Sequence, residues 1–172
     1  MLALFMVYGV RMAGSRAARL VLPVATLGSA VPGAVLAVGL LFPLAAIDNR
    51  IADAVQAATG RDPGLILIGT AAALVIAYVV RFFAIAQGAV DSAFGRVAPS
   101  LPMAARSLGR TAGGVLRSLY LPLMRGSVAT ALLLVFVDCV KELPATLLLR
   151  PFNFETLATR VHEKASLENL GE

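Results

Sequence analysis

The chain has one cysteine, one histidine, no tryptophan and few charges. A lone thiol, Cys139, excludes an internal disulfide and any zinc site built on cysteines. His162 has no second histidine or cysteine to complete a metal site, so it is expected at the surface and not as a ligand, and no cofactor is expected. Lysine is nearly absent, with only Lys141 and Lys164, and no Gly-x4-Gly-Lys-Ser/Thr loop occurs to cradle a nucleotide's phosphates. No histidine constellation or pair of carboxylates sits at the edge of an apolar run, so a membrane-embedded enzyme is not indicated. A net charge of +5 would in a soluble protein suggest nucleic acid, but the basic stretches lack the aromatic residues on which bases stack.

Apolar side chains are what the chain has in excess. Of its 172 residues 59% are hydrophobic and 15% charged, with a mean hydropathy of +0.84. Soluble domains lie nearer half and a quarter, so the composition is that of a membrane protein. About 20 apolar residues per crossing leave room for a few helices and for no large catalytic domain beside them. The expected fold is all-α, a polytopic transmembrane helix bundle.

Three spans are predicted. Leu20 to Ile47 is free of charge and, as one helix, would reach ~42 Å against a hydrocarbon core of ~30 Å. That excess, with Pro23, Pro32 and Pro43, predicts an interfacial start and a kink at Pro32. The second span covers about 63–86, with Arg81 expected to snorkel to the interface. The third covers about 126–149 and carries Asp138, Lys141 and Glu142. Met1 to Val10 is apolar but too short to cross, and reads as the end of a helix whose start is missing. Basic residues fill 11–19 and 91–125, acids mark 48–62, and the positive-inside rule then puts the first two segments in the cytoplasm and the third outside. The tail from Arg150 to Glu172 would lie outside.

The 91–125 loop is longer than a connection needs to be. On a helical wheel, residues 104, 105, 108, 112, 115, 116 and 119 fall within about 120°, while Arg106, Arg110 and Arg117 cluster at roughly 200° to 240°. Gly109 and the pair Gly113-Gly114 argue for a helix, a turn and a second helix, with Pro102 opening the first and Pro122 stopping the second. Two readings stay open. One is a basic amphipathic segment lying on membrane lipids of the anionic inner leaflet. The other is an apolar face inserted into a groove of a partner protein, which small alanines and glycines favour.

The series Ala104-Ala105, three residues, Gly109, nine residues, Leu119, one residue, Leu121-Pro122 resembles a known cytoplasmic signature. It is that of the permease subunits of bacterial binding-protein-dependent ABC importers, Glu-Ala-Ala, three residues, Gly, nine residues, Ile, one residue, Leu-Pro. Met103 stands in place of the Glu and Leu119 in place of the Ile. The stretch from Lys141 to Thr159 is similar to the iron(III) branch of those permeases, and the likeness runs from about Arg19 onward. The resemblance implies a transport subunit that is not itself an enzyme, in the bacterial inner membrane. Its partners would be a cytoplasmic ATP-binding subunit, a periplasmic solute-binding protein and a second permease half or subunit. It further implies that Ala104, Ala105, Arg106, Gly109, Arg110, Leu119, Leu121 and Pro122 form the loop coupled to the ATPase. Since permeases of this branch have several helices in each of two halves, the chain is expected to be a carboxy-terminal portion with a partial bundle. The alternative is a small integral-membrane protein of regulatory or assembly role whose basic loop binds lipid.

Asp138, Lys141 and Glu142 are spaced i, i+3 and i+4, so one helix face can carry all three with Lys141 between the carboxylates. Ionisable groups at membrane depth face the protein or a wet cavity. The triad is therefore expected to be either a structural ion cluster or part of the translocation path.

Overall fold

A computed structural model describes residues 2–14 and 16–166, and among these every regular element is a helix. Met1, Ser15 and residues 167–172 lie outside the described residues; in the sequence they belong to the first apolar stretch, the basic segment 11–19 and the tail. The elements in order are α1 (Leu2–Ala13), α2 (Arg16–Thr26), a 3₁₀ turn (Leu27–Ser29), α3 (Gly33–Thr59) and α4 (Ala71–Gly95). After these come α5 (Ser100–Ser107), α6 (Ala112–Val115), a π turn (Leu116–Tyr120), α7 (Leu121–Lys141), α8 (Pro144–Leu149) and α9 (Leu157–Ser166). Among the described residues three rods are long and apolar enough to cross a membrane: α3, α4 and the continuous stretch Ala112–Lys141.

The rods are displaced from the spans read off the sequence, and each displacement has a local cause. The first span does not run as one helix from Leu20. The chain breaks after the 3₁₀ turn, and Pro32, extended at ψ 140°, caps a new helix. α3 then continues past Pro43 and through Asp48, Arg50 and Asp53, where the sequence suggested a loop. It can do so because the Asp48 carboxylate is shielded from solvent and accepts the amides of Ile66, Leu67 and Ile68 at 2.8–3.1 Å. Gly60, at φ +70°, closes the helix in the left-handed conformation, its N–H reaching Gln56 O at 2.8 Å. Residues 61–70 are consequently a tethered bend and not the start of a span. Thr70 caps α4 through the Ala72 amide.

Pro122 does not stop the helix it enters. With no N–H on Pro122, Ser118 O loses its α-helical donor. The ladder shifts instead to a five-residue step, Leu121 N to Leu116 O, and the rod runs on. Pro144 does interrupt: α7 ends at Lys141, and Pro144 begins α8.

The chain resolves into two compact units, residues 1–26 with 83–136, and 27–82 with 137–172, so that α4 and α7 each contribute to both. The first unit is built on Leu4 and Val7 of α1, Val90, Ala93 and Phe94 of α4, and Leu116 and Met124 of the third rod. The second packs α8 on α3 and α4 through Leu36, Ala37, Leu74, Ala77, Ala145 and Leu149. Ala37, Ala77 and Ala145 are all fully buried there, and their small side chains let the backbones approach closely. Phe42, Leu132, Leu133 and Phe136 point outward and are more than half exposed. Such apolar surface suits hydrocarbon better than water.

Candidate functional site

The stretch that carries the signature folds as a helical hairpin, α5 and α6 joined by a tight turn. The turn is a backbone device that needs glycine. Arg110 N bonds Ala105 O at 3.1 Å and Gly109 N bonds Arg106 O at 2.9 Å, the paired pattern that ends a helix on a left-handed residue. Gly109 takes that role at φ +80°, where a side chain would be strained. Thr111 then caps α6, its Oγ1 accepting the Gly114 amide at 3.2 Å. Gly113 and Gly114 lie inside the second helix, so the turn is at Gly109 and not at the glycine pair.

With the turn in place, the single apolar arc read from residues 104 to 119 splits in two. Val115 and Leu116 are buried in the first unit's core, while Leu108 is 84% exposed at the tip. Leu101 and Met103 of α5 are exposed as well, beside exposed Arg106 and Arg110. Ala104 is exposed and Ala105 half-buried, and together they give α5 a flat, small-residue surface. Arg106 Nη2 lies 2.7 Å from Met12 Sδ, which ties α5 to α1. Leu119 and Leu121 are half-buried on and just after the π turn, and Pro122 is exposed. The signature thus spans a free tip and a rooted base.

The ionisable triad of the third span does not form one cluster. Lys141 Nζ is 3.5 Å from Asp138 Oδ1, and both are accessible. The helix ends between Lys141 and Glu142, and Glu142 turns to a partner that sequence spacing could not reveal. Arg81 Nε donates to its Oε2 at 2.7 Å, and Arg81 Nη1 donates to Val31 O at 2.8 Å. Glu142 also accepts the Ala145 amide, which caps α8, and Thr146 Oγ1 joins Glu142 O to the Tyr78 hydroxyl. Arg81 therefore does not snorkel; from unbroken α4 it satisfies polar groups at two helix breaks, one at Pro32 and one at Pro144. Gly33 is part of the fit, because a Cβ there would collide with Glu142 Oε1 and lie 3.3 Å from Arg81 Cζ. The one advance signal was a single arginine inside an otherwise apolar run.

His162 is exposed on α9 and borders, with Lys141, an open apolar cavity of about 480 Å³. Among the described residues no group of three or more histidine, cysteine or acidic side chains is arranged to hold a metal.

Comparison with known proteins agrees with this architecture. Over 93 residues the chain is 34% identical to the Fe(3+)-transport system permease protein FbpB 2 of Haemophilus influenzae. That match takes in 54% of this chain and 18% of the relative, so the chain spans only a minor part of that protein's length. Residues 1–157, most of the chain and the hairpin with it, match the family described as the binding-protein-dependent transport system inner membrane component, and the chain belongs to that family.

Proposed function

We propose that this chain forms part of the transmembrane path of an ABC importer in a bacterial inner membrane. The hairpin around Gly109 lies on the cytoplasmic side and docks a separate ATP-binding subunit. The path takes its solute from a periplasmic binding protein and is completed by a second permease half or subunit. The cargo is iron(III), on the strength of the relative's name and of the local similarity from Lys141 to Thr159. The observation that carries the docking role is the hairpin tip. It exposes Leu101, Met103 and Leu108 beside Arg106 and Arg110, while its base is buried and fixed. Such a rigid, amphipathic projection suits a groove on a protein.

The test is affinity capture from membranes with identification of an ATP-binding subunit. Gly109→Asp and Ala105→Glu are expected to abolish its recovery at unchanged membrane levels of the chain. Retained recovery with both substitutions would favour the lipid-binding reading. Export of a topology reporter fused near Arg110 would overturn the orientation. Uptake of radiolabelled iron in a complemented strain tests the cargo.

A further inference from the structure

The hairpin is gripped from the side by α1, which lies outside the signature. The Tyr8 hydroxyl donates to Ala112 O at 2.6 Å. Ala112 is the first helical residue after the turn, and its carbonyl also accepts the Leu116 amide. The Tyr8 ring stacks on Phe94 of α4, with centroids 5.9 Å apart, and meets Tyr120 of the π turn edge-on at 5.8 Å. Phe94 and Tyr120 are themselves 4.7 Å apart, so three rings from three elements close on one another. One side chain of α1 therefore touches both ends of the segment that runs from the turn to Tyr120. α1 is in turn anchored to α4, since Arg11 pairs with Asp91 at 2.7 Å and lies 5.5 Å from the Phe94 centroid.

We propose that Tyr8 is a positioning residue that passes displacement of the hairpin to α1 through its hydroxyl bond to Ala112, the ring stack holding that hydroxyl in place. This rests on the reading of the hairpin as the docking element for an ATP-binding subunit. Close-packed rings resist compression, and a short hydrogen bond at the turn is where a push on the tip first meets the bundle. Arg106 to Met12 is a second link between α5 and α1, but a thioether is a weak acceptor and the pair is exposed. Leu4 and Val7 of α1 share a core with Leu116, but apolar packing is non-directional, so the directional link between the turn and α1 is Tyr8.

The experiment uses the chain assembled with the ATP-binding subunit that the wild type captures, with and without trapping by ADP and vanadate. Hydrogen–deuterium exchange is read separately over the hairpin and over α1. In the wild type, trapping changes protection in both. In Tyr8→Phe, which keeps the ring, capture and the hairpin's response are retained, while the α1 response falls by about fivefold or more. Tyr120→Phe removes a hydroxyl from the same stack without removing the bond to Ala112, and is expected to match the wild type. An α1 response in Tyr8→Phe equal to the wild type's overturns the proposal. If the wild-type hairpin is itself unchanged by trapping, the docking reading fails instead.

Discussion

Removing one partner of the Arg81–Glu142 pair is expected to destabilise the chain far more than removing both. Glu142 is 7% exposed and Arg81 22%, with Nε and Oε2 2.7 Å apart. At an effective dielectric of 20, unit charges about 4 Å apart attract by ~4 kcal/mol, and desolvation offsets most of that gain. The pair as a whole therefore contributes little net stability. Deleting a single partner is different, because the other charge stays buried without compensation, at about 3–5 kcal/mol. Arg81→Met leaves the Glu142 carboxylate stranded and also strips Val31 O of its donor, so it is placed at the upper end. Glu142→Gln keeps the shape of the side chain and an acceptor for the Ala145 amide, so it is placed at the lower end. The double variant Arg81→Met/Glu142→Gln is expected to lie well below the sum of its single variants, with a coupling energy of about 2 kcal/mol or more. The assay is unfolding of the purified chain in detergent followed by circular dichroism, which suits a helical protein without tryptophan. Additive single effects, with coupling below about 0.5 kcal/mol, would refute the claim that these residues form one buried interaction.

Two further outcomes follow from backbone geometry. Gly109→Ala forces a Cβ into a left-handed turn at φ +80°; it is expected to cost about 1–2 kcal/mol and to raise amide exchange across 104–115, with Gly109→Asn milder. Equal exchange in glycine and alanine forms would contradict the turn. Asp48→Ala removes the acceptor for three consecutive amides. The amides of Ile66, Leu67 and Ile68 are expected to exchange roughly tenfold faster while the α4 interior stays protected, and unchanged exchange at those three positions would show that Asp48 does not hold the bend.

The elements that were legible in the sequence are those whose cause is local. Gly109 could be read as a turn because a helix end of this kind needs a residue free to adopt positive φ, and Pro32 as a break because it cannot donate to the preceding turn. The all-helical fold followed from long apolar runs with few charges. What could not be read depends on contacts far along the chain. Asp48 looks like a loop residue until the amides of Ile66 to Ile68, some twenty residues later, fold back onto it. Arg81 and Glu142 are 61 positions apart, and the i, i+3, i+4 spacing of Asp138, Lys141 and Glu142 suggested a different partner on the same face. That suggestion fails because the helix ends one residue too early. Pro122 misled for a related reason: a proline's missing donor can be absorbed by a wider turn as well as by a stop.

The wide turn at Leu116–Tyr120 has an effect that reaches beyond its own five residues. It houses one residue more than an ordinary helical path between its ends, so everything on the tip side is rotated by about 100° from where an uninterrupted ladder would aim it. The heading of the projecting loop thus follows from Pro122 at the signature's end, whose missing donor widens the turn. A chain with a donor-bearing residue in place of Pro122, free to close an ordinary ladder, would present its tip on a different azimuth and meet the same receiving groove on a different flank.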